Sequence, residues 1–477
     1  MQETAVVEAF ERAFGEILTR VCVSAPQDIA ATTNVPASSQ QTAVAIAYSG
    51  GLDSSALLHL AHHYATEHRI RLFAFHIHHG ISPNADRWLA HCKEECLRLG
   101  ITFDARQIKL PYDGKSGVEE AARIRRYAAL GELCRAYQVG LLLTAHHEDD
   151  QAETVLLQLL RGSGVAGMSG MDVVNIAPDL LGDENLHMAR PLLSVSRAAL
   201  SNLVAKNDIA YVDDESNTDP RYARNALRHQ VMPVLAKVFP GFQGRFARTA
   251  QHAQAAQRML IELAAQDLEM CADGECLDIQ QLRKLSSDRM DNVLRYWFGS
   301  HRMRMPSTSW LSEMRTQLLD AKEDAQLCVT HADCHIRRHR DRVYLTPRLN
   351  DDLSMVELLV FRWQGEEKIY FAGYHGTLYF EPAEQGIDSE WLQQQDLQIH
   401  YRQGGERLKP ALNRPTKSLK YHYQALDIPA WERERLPLIT TGKHLLFAAG
   451  IGMDCHQLGA KPAKLIQFRW QPDLPAS

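Results

Sequence analysis

A chain of 477 residues exceeds what one hydrophobic core of roughly 250–300 residues serves, so two or three domains are expected. Apolar content of 45% and charged content of 23% are ordinary for a globular protein, and no run of about 18 apolar residues suggests a membrane span. The net charge of −6 speaks against a uniformly basic nucleic-acid binder, and nine cysteines without a C-x-x-C pair support neither a disulfide framework nor a cluster site. A reducing cytoplasm is the expected compartment.

Residues 3–23 read as an amphipathic helix, and 24–41, rich in Ser, Pro, Thr, Gln and Ala, as a linker. Alternating strands and helices then begin. Ala43–Tyr48, Arg71–Ile77, Ile101–Ile108 and Leu141–Ala145 have the short apolar character of strands. Between and after them Ser54–Glu67, Asn84–Leu99, Gly117–Gln138 and Asp150–Arg161 have helical spacing. This order predicts a Rossmann-like parallel sheet covered on both faces. Helices are expected over Asn225–Leu235, Gly244–Leu268, Ser286–Phe298 and Ser309–Ala321, and a strand over Arg342–Leu345. The stretch from about 355 to 470 is mixed. The expected division is an extension and linker (1–41), an α/β catalytic domain (42–225), a mainly helical domain (226–350) and a small α+β domain (351–477).

Charge is distributed unevenly. Arg221 to Ile261 holds seven basic residues and no Asp or Glu, and Arg402 to Lys420 holds six basic residues against Glu406 alone. The tract Arg337-Arg338-His339-Arg340-Asp341-Arg342 adds four arginines. These read as local basic faces on an acidic protein.

The strongest motif is Ser49-Gly50-Gly51-Leu52-Asp53-Ser54-Ser55, between a strand and a helix. Glycines let the backbone approach a phosphate, the helix start offers N–H donors, and three hydroxyls can add more. Asp53 cannot bind phosphate directly, so Mg²⁺ between the two is implied. A Walker loop is excluded, because Gly114-Lys115-Ser116 has Lys109 where the first glycine belongs.

A second motif, Thr144 to Thr154 with His146, His147, Glu148, Asp149, Asp150 and Glu153, begins where the fourth strand ends. In open parallel sheets ligands bind beyond the strands' carboxyl ends, so both motifs should share one cleft. Asp150 and Glu153, three apart, face the same way on a helix and suit either a metal or a cationic amine. A dinuclear metal hydrolase and plain helix-start residues are the competing readings. In His76-Ile77-His78-His79-Gly80, His76 and His78 share a side, and contact with a nucleotide base is favoured over metal binding.

The loop resembles that of N-type ATP pyrophosphatases. Glu119-Glu120-Ala121-Ala122-Arg123-Ile124-Arg125-Arg126-Tyr127, Leu160-Arg161-Gly162-Ser163-Gly164, Arg190-Pro191-Leu192-Leu193, Asp214 to Asp219, Arg224-Asn225 and Arg228 occur in order with the two motifs. Together they are similar to the bacterial tRNA(Ile)-lysidine synthetase family, strongly over 43–235. The likeness weakens through Asn292 to Trp297, Gly404-Gly405-Glu406-Arg407, Lys417-Ser418-Leu419-Lys420 and Ile428 to Trp431. Two departures stand out: the first forty residues, and Asn413-Arg414-Pro415 before the Lys417 run.

The resemblance implies an ATP-dependent ligase that joins free L-lysine to C2 of the wobble cytidine in a CAU-anticodon tRNA(Ile). It proceeds through an adenylated cytidine, releases AMP and pyrophosphate, and changes the codon read from AUG to AUA. It further implies ATP at Ser49, Gly50, Gly51, Leu52, Asp53, Ser54, Ser55 and His78, and Mg²⁺ at Asp53. Lysine falls to Asp150 and Glu153, with Asp149 a close alternative, and Arg126, with Arg123 beside it, would neutralise phosphate. Arg221, Arg224, Asn225, Arg228, Arg407, Lys417 and Lys420 would meet tRNA. No membrane partner is implied, and a homodimer is left open. The rivals are another tRNA-modifying enzyme of the same loop class, such as a 2-thiocytidine synthetase, and a non-catalytic tRNA-binding protein.

Overall fold

The computed structural model describes residues 2–24, 42–78, 80, 82–108, 118–213, 223–320, 327–348, 357–457 and 464–473. They form two compact units, Met1–Leu260 and Ile261–Ser477. Of the expected linker at 24–41, Ser24 ends the first helix, and 25–41, like Arg221, lies outside the described residues.

The first unit opens with α1 (Gln2–Ser24), β1 (Ala43–Ala47), α2 (Leu52–His68), β2 (Arg71–His78), α3 (Ala85–Arg98) and β3 (Thr102–Gln107). It continues through α4 (Val118–Ala136), β4 (Leu141–Leu143), α5 (Glu148–Leu160), α6 (Val165–Met168), β5 (Val174–Ile176) and α7 (Pro178–Leu181). Then follow β6 (His187–Ala189), α8 (Arg197–Lys206), α9 (Ala223–Ala226), a π-helical turn at Leu227–Val231, α10 (Met232–Val238) and α11 (Phe242–Cys271). The sheet order is β3-β2-β1-β4-β6-β5. Every pair is parallel except β5 with β6.

Alternation along the strands sorts the side chains into two cores. Val44, Ile46, Leu72, Ala74, Leu141 and Leu143 join one core; Ala45, Phe73, Phe75, Ile77 and Leu142 join the other. Both faces are buried, which explains why the strands read as near-continuous apolar runs. The extension that the sequence left without a role belongs to the first core. Val6, Phe10, Phe14 and Ile17 recur at helical spacing and are buried. The Phe14 ring centroid lies 4.9 Å from that of Tyr64 on α2. At the other end Asn207 donates to Glu3 at 3.1 Å, beside a Lys206–Glu3 ion pair.

The chain leaves β1 for β2 and β3 on one side, then returns to lay β4 on the other. That reversal opens a crevice at the carboxyl ends of β1 and β4. Both sequence motifs follow these two strands.

In the second unit the expected mainly helical stretch carries α12 (Ile279–Leu282), α13 (Ser287–Ser300) and α14 (Thr308–Asp320). It also has a five-stranded antiparallel sheet, of which only the last strand was foreseen. Its strands are β7 (Ala272–Asp273), β8 (Cys276–Asp278), β9 (Cys328–Thr330), β10 (Cys334–His339) and β11 (Arg342–Pro347), in the order β7-β8-β11-β10-β9. Trp297, Phe298, Leu311, Met314, Ile336 and Val343 fill the core between helices and sheet. The C-terminal stretch is the small mixed structure expected, with sheets of five, three and two strands around Trp363, Phe380, Ile399, Ile439 and Phe468.

The arginine tract on β10 and β11 is not an open basic face. Arg338 is buried and donates to the Leu318 and Arg340 carbonyls at 2.9 and 2.8 Å. Arg340 and Arg342 pair with Asp427 and Asp273 at 2.8 and 2.6 Å. Acidic partners from distant sequence neutralise what looked locally uncompensated.

Candidate active site

Tyr48 extends the pairing of β1 by donating its N–H to the Phe75 carbonyl at 2.9 Å. The chain then turns sharply. Gly50 has φ +84°, and a Cβ there would lie 2.8 Å from Cys92 Sγ, so only glycine fits. The Gly50 carbonyl accepts from Val212 N at 2.9 Å, and Ser55 Oγ donates to it at 3.3 Å. Ser49 and Ser54 hydroxyls meet at 2.9 Å, and Ser54 also donates to the Gly51 carbonyl at 3.0 Å. Gly51, at the N-cap of α2, supplies no side-chain cap. The first-turn N–H groups of α2 are thus left for an anion, which the helix dipole favours.

Leu52 turns away from the loop and lines a shallow cavity with Val204, Ile209 and Tyr211. His78 Nε2 meets Asp86 Oδ1 at 3.1 Å, while its Nδ1 is buried without a partner. His76 Nδ1 donates to the Tyr48 carbonyl at 2.9 Å and so braces the loop.

Beyond β4 the chain enters α5 through a capping box. His147 Nδ1 accepts from Asp150 N at 3.3 Å, and Asp150 Oδ2 accepts from His147 N at 3.1 Å. The imidazole is buried, and its Nε2 lies 3.6 Å from Asp53 Oδ2 and 3.3 Å from Asp150 Oδ2. Arg197, at the start of α8, brings Nε to 3.8 Å from Asp53 Oδ1. Its backbone N–H donates to Asp149 Oδ2 at 2.8 Å. The starts of α2, α5 and α8 therefore converge on one spot. Asp149 is occupied by the α8 start, and Gln243 donates to its other oxygen at 3.3 Å.

Burial disfavours a charged His147, but Asp53, Asp150 and Asp149 outweigh it and raise its pKa. Burial likewise opposes ionisation of Asp150, yet His147, Arg224 and Arg228 hold its pKa below the ordinary value. Burial pushes His146 down to about 3 against the pull of Asp150, with Arg190, Arg224 and Arg126 adding to the drop. His146 is thus neutral, with Nδ1 and Thr144 Oγ1 paired at 2.9 Å.

Asp150 and Glu153 do share a face of α5, and that face is engaged. Arg228 Nε donates to Glu153 Oε1 at 2.6 Å, and its Nη2 reaches Glu153 Oε2 and Asp150 Oδ1, each at 2.9 Å. Arg224 Nε donates to Glu153 Oε2 at 2.9 Å. The acidic partners missing around Arg224 and Arg228 in sequence come from α5, some seventy residues earlier.

Arg126 and Arg123 are exposed, with guanidiniums 5.3 and 5.6 Å from the Tyr127 ring. In the second unit Arg407, Lys417 and Lys420 are exposed; Arg407 donates to the Thr416 carbonyl at 2.9 Å, and Lys417 stands 5.4 Å from the Tyr421 ring. Asn225 is half-buried.

Three residues of the crevice escaped assignment from sequence. His147 was legible as part of a motif but not as the group between two aspartates. Arg197 carried no local signal. Arg190 lay in a quoted motif; it is buried, and its Nη1 donates to the Asp172 carbonyl and Asn175 Oδ1, both at 2.7 Å.

Fold and crevice define an α/β nucleotide enzyme whose phosphate loop joins a parallel strand to a helix. Accordingly, the PP-loop domain family matches residues 25–235, the TilS substrate binding domain family 277–344, and the TilS substrate C-terminal domain family 397–470. The tRNA(Ile)-lysidine synthase of Burkholderia pseudomallei (strain K96243) is 39% identical over 91% of this chain and 94% of its own length. That of Ralstonia nicotianae (strain ATCC BAA-1114 / GMI1000) is 39% identical over 86% and 89%, and that of Coxiella burnetii (strain RSA 493 / Nine Mile phase I) 36% over 85% and 88%. The chain belongs to the tRNA(Ile)-lysidine synthase family.

Proposed function

We propose that this chain forms lysidine on tRNA(Ile) with ATP, joining L-lysine to C2 of the wobble cytidine of a CAU anticodon. The carrying observation is one buried imidazole, His147, within 3.6 Å of the phosphate-loop Asp53 and 3.3 Å of Asp150 on α5. An adenylating loop and an amine-binding pair of carboxylates thereby adjoin.

In the first half of the reaction the cytidine O2 attacks the α-phosphate of ATP, and pyrophosphate leaves. The uncapped start of α2 and the Ser49 and Ser54 hydroxyls receive phosphate oxygens, and Arg126, with Arg123, offsets their charge at the cleft edge. Asp53 Oδ1 is buried and accepts no hydrogen bond, an arrangement that suits a bound cation. Mg²⁺ held there would supply neutralisation of the phosphate charge. In the second half the ε-amine of lysine attacks C2 and AMP departs. Asp150 and Glu153 orient the ammonium, and one of them takes the proton it must lose. Neutral His146 lets the amine approach without adding a further positive charge. Residues Arg407, Lys417 and Lys420 present an exposed basic surface for the tRNA backbone.

A sulfur-transferring reading finds no support. Burial pushes the Cys92 and Cys96 thiols each up to about 12, and among the described cysteines only Cys328 is exposed.

The test is incorporation of labelled lysine into an unmodified CAU tRNA(Ile) transcript with ATP and Mg²⁺. Label confined to the wobble base, with AMP and pyrophosphate released, supports the reading; a transcript left unlabelled while still bound overturns it. Asp53→Asn should abolish product and leave tRNA affinity nearly unchanged, and an undiminished yield would refute the role of Asp53 in holding Mg²⁺.

A further inference from the structure

The carboxylates assigned to lysine are already paired. Glu153, with a side chain 2% exposed, receives Arg228 on both oxygens and Arg224 on one; Asp150 Oδ1 receives Arg228 as well. Asp150 Oδ2 is spent on the His147 N–H of the capping box. These two carboxylates face two guanidiniums, in a cluster that also holds Asp53, Asp149 and Arg197. A lysine ammonium on the same oxygens would have to compete with guanidinium donors already seated there. The donors already in place also leave little lone-pair capacity on Glu153. Room for an ammonium on these oxygens opens when one guanidinium withdraws.

The segment that carries both arginines is built to let this happen. Arg224 sits in the four-residue α9, and Arg228 in the π-helical turn that follows, a wide turn with looser backbone pairing than an α-helix. Side chains four apart point the same way, so the two arginines act as a pair. The anions that such a displaced guanidinium meets best are phosphodiesters, with which it pairs bidentately as it does with carboxylate.

We propose that Arg224 and Arg228 are positioning residues that occupy the lysine site and exchange it for the tRNA backbone, so that tRNA binding uncovers Asp150 and Glu153 for lysine. This rests on the reading that those two carboxylates hold the lysine ammonium. Lysine and tRNA then bind with positive coupling, and by linkage each raises the affinity of the other by the same factor. An amine substrate is thereby admitted chiefly when the base it must modify is present.

Equilibrium dialysis of labelled lysine, with and without the CAU transcript and without ATP, tests this on the full chain. In the unmodified protein the transcript should tighten lysine binding by about fivefold or more, the lower end of usual coupling. Arg228→Ala should tighten lysine binding in the absence of tRNA by a similar factor and reduce the effect of tRNA to less than about twofold. Arg228→Lys keeps the charge without the fork and should fall between. Weaker or unchanged lysine binding in folded Arg228→Ala would make the arginines mere struts and overturn the proposal. If Arg228→Ala does not fold, the absence of coupling in the unmodified protein overturns it equally. Asp150→Asn and Glu153→Gln separate the two levels: if both leave lysine binding intact, the lysine-site reading itself fails, whereas if they weaken it while Arg228→Ala does not strengthen it, only the exchange fails.

Discussion

His147 combines two duties that pull in opposite directions. As N-cap of α5 it must keep Nδ1 unprotonated to accept from Asp150 N at 3.3 Å. As neighbour of Asp53, Asp149 and Asp150 it is drawn toward the charged form, despite its burial. On protonation Nδ1 becomes a donor, with Asp149 Oδ2 3.8 Å away, so the ring exchanges a cap for a carboxylate contact. A group whose folded pKa lies above its unfolded value of 6.5 stabilises fully below that pH and loses the contribution as pH rises through the folded value. Asp150 is the converse: lowered from 3.8, it stabilises above that pH and fails as pH falls through the folded value. Replacing His147 by Asn keeps a competent cap but no charge. Denaturant titrations should therefore show His147→Asn at its largest disadvantage between about pH 4 and 6.5, with the gap closing as pH rises through the raised folded value. A gap independent of pH would mean that the cap alone matters. At this scale the sequence showed which residues cluster, because motif spacing is local; it concealed that one imidazole would stand between two motifs almost a hundred residues apart, since only the β1–β4 pairing brings them together.

At the scale of elements, α1 was legible as an amphipathic helix from Val6, Phe10, Phe14 and Ile17, but its destination was not. Those side chains find Tyr64 on α2, and Glu3 at the start of the helix meets Lys206 and Asn207 at the end of α8. The helix packs in the same core as α2 and α8, whose starts border the crevice. Phe14 is fully buried, so Phe14→Ala should cost about 3–5 kcal/mol in unfolding free energy, measurable by urea denaturation. A loss below about 1 kcal/mol would show that α1 is not part of the folded core. The strands β1 to β4 were found from apolar runs because both faces are buried. The short β7, β8 and β9 were missed because two or three residues carry no readable period. The arginine segment failed for another reason: charge was counted along the chain, while ion pairs are made across the fold.

For the whole molecule, an acidic protein carries separate basic tracts, and the structure distinguishes them. The tract on β10 and β11 is consumed by Asp427, Asp273 and backbone carbonyls, whereas Lys417 and Lys420 remain exposed. Replacing both lysines by glutamine should weaken tRNA binding and flatten the slope of log affinity against log salt by nearly two, leaving ATP binding unaffected. A slope that does not move would remove them from the RNA contact. The match of family and fold was readable from ordered motifs over 43–235, and less so beyond, where the chain's chemistry is carried by scattered surface charge rather than by contiguous residues.

The placement of α1 also sets an order of events during synthesis. Its partners on α8 and at Asn207 leave the ribosome some 180 residues after it. At ordinary elongation rates that interval is on the order of 10–40 s. For that time Phe10, Phe14 and Ile17 form an apolar stripe that lacks its α8 partners, so the nascent chain carries uncovered apolar surface until the last helix of that layer has been made.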